Sequence, residues 1–214
     1  PEFGFTGSPL VVDDVVIVAV AGRLVAYDTA TGDPRWSGPE HGGGYSSPHL
    51  LTIDGVEQVL LLSGFGATSV APADGTLLWE YEWQGYSYLQ PALTTDGDLL
   101  ISNIEFMPTS MLRLAVRRGP DGWTIEERWS SRGLKPHFSD FVVHEGYAYG
   151  FDGSILSCIG VGDGERKWKG GRYGQGQLVV LPDQDVLLVL AEQGELALVA
   201  ATPDGYRELA RLPA

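Results

Sequence analysis

A glycine followed by a large apolar residue recurs about every forty residues, and this repeat constrains the fold more than any other feature of the sequence. In the stretch YDTATGDPRW, residues 27–36, Trp36 stands four residues after Gly32. The pattern has five copies: Gly32–Trp36, Gly75–Trp79, Gly122–Trp129, Gly164–Trp168 and Gly205–Leu209. The apolar members are 43, 50, 39 and 41 residues apart. Self-similarity at such a period is typical of repeat architectures.

A second marker recurs in phase with the first. An aromatic residue followed by small residues and proline opens three repeats, at residues 5–9, 45–48 and 88–91. Two degenerate copies stand at 138–141 and 173–178. Two independent markers with one period indicate that the repeat is real.

Each repeat contains short runs rich in Val, Leu, Ile and Tyr, interrupted by pairs such as Asp-Asp and Asp-Gly. These are strand and hairpin signals, and no stretch has a sustained helical pattern of apolar residues. In the first repeat we predict strands near residues 9–13, 15–21 and 23–28, and a short outer strand around Arg35 and Trp36. Four antiparallel strands in about forty residues form one propeller blade.

We therefore predict an all-β chain, a β-propeller of four-stranded antiparallel blades with about five blades present. Residues 1–214 are predicted to form a single propeller region. The predicted blades cover approximately residues 5–40, 41–84, 85–134, 135–173 and 174–214.

The repeat residues are predicted to be structural. Asp28 can accept hydrogen bonds from the backbone of its turn, and Gly32 supplies a positive φ. Trp36, on the outermost strand, can wedge between twisted sheets. The alternative is that the tryptophans form an aromatic binding box. The set of structural repeat residues is Asp28, Gly32, Trp36, Gly75, Trp79, Trp129, Gly164, Trp168, Gly205 and Leu209.

Two further tryptophans, Trp83 and Trp123, lie off the repeat phase. They could be exposed at a rim, where exposed aromatic residues sometimes mark a binding surface.

The charge of the chain excludes some partners. The formal net charge is −14, and a surface this acidic repels the phosphates of nucleic acids and of anionic lipids. No apolar run approaches the length of about 20 residues that a membrane helix needs, so direct membrane insertion is not expected. No signal peptide is visible, and the opening PEFGFTGSP is read as a start within a longer protein.

The reactive side chains form no recognisable catalytic set. Cys158 is the only cysteine, which excludes an intramolecular disulfide and a cysteine-based zinc site. Its apolar surroundings, SILSCIG, favour a buried structural thiol over a nucleophile. The four histidines match no zinc motif. His41 and His137 stand in loops before inner strands, where they are either ordinary loop residues or groups that approach the central channel.

The acidic and glycine-rich stretches also lack the spacing of known sites. Residues 28–33 and 182–185 do not match a calcium loop and are read as hairpin turns. HGGGYSSP, residues 41–48, lies between strands and therefore lacks the helix that a phosphate loop requires. We predict no catalytic residue, no metal ligand and no cofactor, and the cofactor-binding residues stay unknown.

AYDTATGDPRW resembles the repeat of the pyrroloquinoline-quinone-type β-propellers, in which Asp, a Thr-Gly turn and Trp follow one another. SPLVVDDVVIV and HFSDFVVHEGYAYGFDGSILSCI also look like paired inner strands of that superfamily, and the resemblance extends over essentially the whole chain. Only the first copy has the full motif, because Ala71, Gly160 and Ala201 replace Asp28 in the second, fourth and fifth copies.

The resemblance implies several functions. The family includes quinone- and calcium-dependent alcohol or sugar dehydrogenases, scaffolds such as the propeller lipoprotein of the outer-membrane barrel-assembly machinery, and sensor domains of membrane proteins. The dehydrogenases are longer and carry vicinal cysteines and a Glu–Asn–Asp calcium site, whereas this chain has one cysteine and a single asparagine, Asn103. The expected function is a non-catalytic periplasmic or extracellular scaffold that binds a protein or another ligand. A dehydrogenase and a sensor domain are the alternatives.

Family members usually close with seven or eight blades. Five blades therefore correspond to part of a propeller or to a narrower ring.

Overall fold

The computed structural model describes residues 6–41, 43–83, 85–103 and 110–214. Phe5, at the start of the first predicted blade and of the first aromatic marker, lies outside the described residues. The chain forms five four-stranded antiparallel sheets, each in simple sequence order. This confirms the predicted all-β propeller fold with about five blades.

The first two sheets follow the predicted meander. Sheet 1 contains β1 (Leu10–Val12), β2 (Val15–Val20), β3 (Arg23–Asp28) and β4 (Pro34–Ser37). Each of its strands lies within one residue of the predicted bounds. Sheet 2 contains β5 (His49–Ile53), β6 (Val56–Leu62), β7 (Gly66–Val70) and β8 (Leu77–Glu82).

The other three sheets repeat the order with different strand lengths. Sheet 3 contains β9 (Ala92–Leu93), β10 (Leu99–Asn103), β11 (Ser110–Gly119) and β12 (Gly122–Ser131). Sheet 4 contains β13 (Val142–His144), β14 (Tyr147–Asp152), β15 (Ile155–Gly160) and β16 (Arg166–Arg172). Sheet 5 contains β17 (Gln177–Leu181), β18 (Val186–Leu190), β19 (Glu195–Ala200) and β20 (Glu208–Pro213), with a 3₁₀ turn at Pro182–Gln184.

The chain divides into two compact units, and each has its own core. The first unit covers residues 1–91 and 115–126, and the second covers 92–114 and 127–214. In the first unit, buried residues of sheet 1 such as Ile17 form one apolar cluster with residues of sheet 2 such as Val59. Sheets 4 and 5 form the corresponding cluster of the second unit. Neighbouring sheets therefore cover apolar faces that a lone sheet would leave in water.

The meander sorts the loops onto two edges of each sheet. The turns that follow the first and third strands lie at one edge, and this edge carries the repeat glycines. The loop that follows the second strand lies at the opposite edge. The same edge receives the loop that leads into the first strand, which we call the leading loop. The leading loops of sheets 2, 3, 4 and 5 are residues 38–48, 83–91, 132–141 and 173–176.

No helix in the described part of the chain is long and apolar enough to span a membrane.

Candidate functional site

Three repeat tryptophans bind the repeat turn of the next sheet. Their indole N–H groups donate to main-chain carbonyls: Trp36 to Pro72 (3.0 Å), Trp129 to Val161 (2.9 Å) and Trp168 to Thr202 (2.6 Å). Each accepting carbonyl belongs to the residue three positions before that sheet's repeat glycine. The repeat thus joins the outermost strand of one sheet to a turn of the following sheet, and the packing role proposed for these tryptophans is consistent with these bonds.

Two of the repeat glycines lie directly against these rings. Gly75 has a φ of +72°, and a Cβ there would lie 2.5 Å from Cε3 of Trp36. A Cβ at Gly164 would lie 2.9 Å from the Trp129 ring. These positions need glycine for two reasons, because both the conformation and the space exclude a side chain. At Gly32, where φ is +78°, no described atom lies within 4 Å of such a Cβ.

Trp79 departs from this pattern. Its indole N–H donates to Oε1 of Gln58 in its own sheet (2.5 Å), and the same oxygen accepts from Oγ of Ser69 (2.6 Å). Gln58 is fully buried, and its amide donates to the carbonyl of Val56. Leu209, the last apolar member of the repeat, is 47% exposed.

The first repeat turn is held by the Asp28 carboxylate. Its Oδ1 accepts from the backbone N–H groups of Ala30 and Thr31, both at 2.9 Å, and Oδ2 accepts from Arg35 (2.8 Å). The two backbone hydrogen bonds lower the pKa of Asp28.

The second copy, which lacks this aspartate, keeps the turn by other means. Gly75 N–H donates to Ala71 O, just as Gly32 N–H donates to Asp28 O. The carboxylate of Asp74 then accepts from Thr76 N–H, so an aspartate one residue before the glycine holds the turn.

The leading-loop edge of the first unit carries an aromatic cluster, composed of His41, Tyr45, Trp83, Tyr86 and Tyr88 from the leading loops and Phe65 from the loop between β6 and β7. His41 stacks on Phe65 with ring centroids 4.0 Å apart, and Tyr45 contacts Tyr88 at 5.5 Å. Burial, reinforced by the neighbouring Tyr45 and Tyr86, raises the pKa of Tyr88.

Several members of the aromatic cluster are fixed by polar contacts. The Trp83 indole donates to the carbonyl of Ser63 (3.1 Å), and His41 binds Glu80. Tyr86, by contrast, is 44% exposed. The off-phase Trp83 and Trp123 are both partly exposed. Tyr86 is therefore the most exposed ring of the cluster and stands on an anchored aromatic base.

The second leading-loop histidine also has an aromatic neighbour. His137 contacts the exposed Phe138 with ring centroids 3.7 Å apart, and burial lowers the pKa of His137. The approach of His41 and His137 to a central channel stays a prediction.

Two buried ionic groups were not apparent from the sequence. Arg113 is buried, donates to Asp98 (2.8 Å) and to the carbonyl of Val161 (2.9 Å), and also binds Asp96. Its contacts tie the third strand of sheet 3 to the turn between the first two strands of that sheet and to the repeat turn of sheet 4.

The second group is the Asp152 cluster, defined as Asp152, Lys135, Arg166 and Lys169. Oδ2 of Asp152 accepts from Arg166 Nη2 and Lys169 Nζ, both at 2.6 Å, and Lys135 Nζ lies 3.5 Å from Oδ1. The cluster leaves a signal in the sequence that could have been noticed: all three lysines of the chain lie between residues 135 and 169.

Cys158 lies in the interior of sheet 4. It is fully buried, and burial raises the pKa of its thiol to about 12. The structure is therefore consistent with a structural thiol.

The described residues contain no group of three or more histidine, cysteine, aspartate or glutamate side chains arranged to hold a metal ion. Asn103 is buried at the end of β10.

Comparison with known proteins places this architecture in a family. Residues 2–169 match the family described as "Outer membrane protein assembly factor BamB". A search of curated proteins finds no significant match.

Solved structures resemble the chain over nearly its whole length. BamB from Moraxella catarrhalis has a TM-score of 0.66 at 17% identity, over 97% of this chain and 61% of that one. The computationally designed Ika8 protein has a TM-score of 0.67 at 11% identity, over 96% and 61%. Quinohemoprotein alcohol dehydrogenase from Comamonas testosteroni has a TM-score of 0.63 at 12% identity, over 98% and 43%.

The chain thus spans about three fifths of the length of the BamB structure. At these identities the structural likeness shows the fold alone. The family match covers most of the sequence, and the five four-stranded sheets agree with it. The chain belongs to the family of the outer membrane protein assembly factor BamB, a family of propellers built from pyrroloquinoline-quinone-type repeats.

Proposed function

We propose that this chain is a non-catalytic extracytoplasmic propeller that acts as a scaffold and binds another protein through the aromatic cluster of its leading loops. The observation that carries the proposal is the geometry of that cluster. Tyr86 exposes nearly half of its surface, whereas Tyr88, Tyr45 and Phe65 pack against neighbouring rings.

An anchored aromatic surface of this kind suits protein binding. Tyrosine and tryptophan are enriched where proteins bind each other, because they offer a large contact area at a small cost in side-chain entropy. The hydrogen bond from Trp83 to Ser63 and the contact of His41 with Glu80 hold the base of the cluster before a partner arrives. Less ordering is then required on binding.

Membership of the BamB family supports the partner class and the compartment. The family description names a factor in outer membrane protein assembly, which is a role performed with other proteins. We therefore propose the periplasm as the site of action and a protein as the partner.

Site-specific crosslinking in the native cell envelope tests the proposal. Tyr86 is replaced by a photoreactive phenylalanine analogue, and Leu77, which is 43% exposed at the start of β8, receives the same analogue as a matched control. Leu77 lies at the opposite edge of sheet 2. We expect one discrete crosslinked protein from position 86 and none from position 77. Equal crosslinking from both positions, or none from position 86, would contradict the proposal.

A quinone- and calcium-dependent dehydrogenase is the second candidate, because the chain shares its fold with a quinohemoprotein alcohol dehydrogenase. The purified chain is incubated with saturating pyrroloquinoline quinone and Ca²⁺, and then examined by absorbance and by a dye-linked alcohol or sugar dehydrogenase assay. The scaffold proposal predicts neither retained quinone nor turnover. Retained quinone absorbance with turnover would establish the dehydrogenase instead.

A further inference from the structure

We propose that the Asp152 cluster is a docking site for an acidic segment of the protein partner. This inference rests on the proposed scaffold function and gives its partner a chemical character. Three cationic side chains converge on one carboxylate, so two positive charges remain in excess at this point. The rest of the chain is strongly acidic, with a net charge of −14 overall.

The positions of the cationic groups are fixed by the backbone. Lys135 N–H donates to the carbonyl of Phe151 (3.0 Å), and Lys135 forms a parallel bridge with Asp152. Arg166 and Lys169 both belong to β16. Groups that are already in place lose little conformational freedom when a partner binds.

Arg166 is further restrained at its guanidinium. Nη2 donates to the carbonyls of Arg132 (3.2 Å) and Gly133 (3.1 Å), and Nε donates to Gly133 (3.2 Å). Its donors are therefore largely used within the chain. Arg166 serves mainly to neutralise the carboxylate and to leave the lysines available.

The two lysines carry the proposed contact. An ammonium group has three N–H donors, and Asp152 takes no more than one from each. The Lys135 and Lys169 side chains are 36% and 31% exposed, whereas Asp152 is only 7% exposed. A carboxylate arriving from solvent thus meets two ammonium groups, while Arg166 already neutralises the Asp152 carboxylate beneath them.

Charge complementarity favours an acidic protein segment over other anions. The chain's overall acidity disfavours broad anionic surfaces such as lipid bilayers and nucleic acids. A short acidic segment can reach a local cationic site without approaching the remaining acidic surface.

Fluorescence anisotropy with a labelled glutamate-rich peptide at low ionic strength tests the inference. Lys135→Gln/Lys169→Gln is the test variant, and Lys167→Gln is the matched control. Lys167 lies on the same strand and has a similar exposed fraction, 28%, but it pairs with Asp163 outside the cluster. We expect the dissociation constant to rise about tenfold in the test variant, since each exposed pair contributes modestly, and to change less than about twofold in the control.

A charge-preserving variant separates loss of the site from loss of the fold. Lys135→Arg/Lys169→Arg keeps both charges, and we expect it to bind the peptide nearly as well as the wild type. Raised salt should weaken binding to the wild type more than to the glutamine variant, because salt screens the cationic contacts.

Three results would overturn the inference: no peptide binding by the wild type, equal loss in Lys167→Gln, or stronger lysine-dependent binding to anionic vesicles or inorganic phosphate than to the peptide. Such results would leave the aromatic-cluster proposal intact if crosslinking from position 86 persisted. Loss of crosslinking with retained peptide binding would instead remove the aromatic contact alone.

Discussion

The bond between Trp168 and the turn of sheet 5 allows a quantitative test of how the repeat holds neighbouring sheets together. Trp168 is buried, contacts Tyr149 and Tyr206, and donates to the carbonyl of Thr202 at 2.6 Å. The substitution Trp168→Phe keeps an aromatic ring but removes the donor and part of the buried surface. We therefore expect the free energy of unfolding to fall.

The magnitude follows from two terms. A carbonyl left without its donor costs about 1–3 kcal/mol when it is buried, and the partial exposure of Thr202 places this site near the lower end. The smaller ring removes roughly 40 Å² of apolar contact, which is about 1 kcal/mol. Together these terms give about 2 kcal/mol, or a decrease in Tm of roughly 4–8 °C for a chain of this size.

Thermal unfolding followed by far-ultraviolet circular dichroism measures this decrease. Leu209→Ala is the matched control, because Leu209 holds the equivalent repeat position but is largely exposed. Its substitution should cost less than about 0.5 kcal/mol. If both variants unfold at the same temperature, the tryptophan–turn bond does not contribute as the structure implies, and the reasoning is refuted.

Three further predictions concern other parts of the chain. Gly75→Ala should destabilise the protein more than Gly32→Ala, since both glycines have positive φ but only at position 75 would the added Cβ lie 2.5 Å from the Trp36 ring; chemical denaturation of the pair measures the difference. The hydrogen bond from Arg211, with smaller contributions from those of Tyr173 and Tyr206, lowers the pKa of Glu208 from 4.5 to about 2. The stability that Glu208 contributes should therefore be complete above pH 4.5 and be lost as the pH falls toward 2. Glu208→Gln should flatten that part of the pH–stability curve, and an unchanged curve would count against the pairing. Burial raises the pKa of Cys158 to about 12, so a thiol reagent at pH 8 should modify it only after unfolding, and rapid reaction with the folded chain would contradict a buried thiol.

The repeat made the architecture predictable. Its period identified four-stranded units, and the hairpin signals located the strands of sheet 1 within one residue. This worked because turn chemistry and strand alternation are local properties that a short stretch of sequence expresses directly. The turns at Ala71 and Gly160 could not be predicted from the motif alone, since they keep the same backbone hydrogen bond without the aspartate of the first copy.

The side-chain networks could not be predicted in the same way. Gln58 and Trp79 are 21 residues apart, and Lys135 and Asp152 belong to a loop and a strand that only the folded sheet brings together. Nothing in the repeat distinguishes Trp79 from Trp36, yet one bonds within its own sheet and the other bonds to the next. Partner choice depends on three-dimensional register, which a periodic pattern does not specify.

The direction of the tryptophan–turn contacts has a consequence for how such proteins can change in evolution. Each of the three contacts uses a donor from the last strand of one sheet and an acceptor from the repeat turn of the next sheet, so the junction is asymmetric and of the same kind in each of the three pairs. A four-stranded sheet that is duplicated or deleted as a whole therefore brings or removes both the tryptophan donor for the sheet after it and the turn carbonyl for the sheet before it. The tryptophan–turn hydrogen bond can therefore be preserved when the number of sheets changes. Sheet 2 is the exception, because Trp79 donates to Gln58 within its own sheet and therefore does not supply this bond to the next sheet.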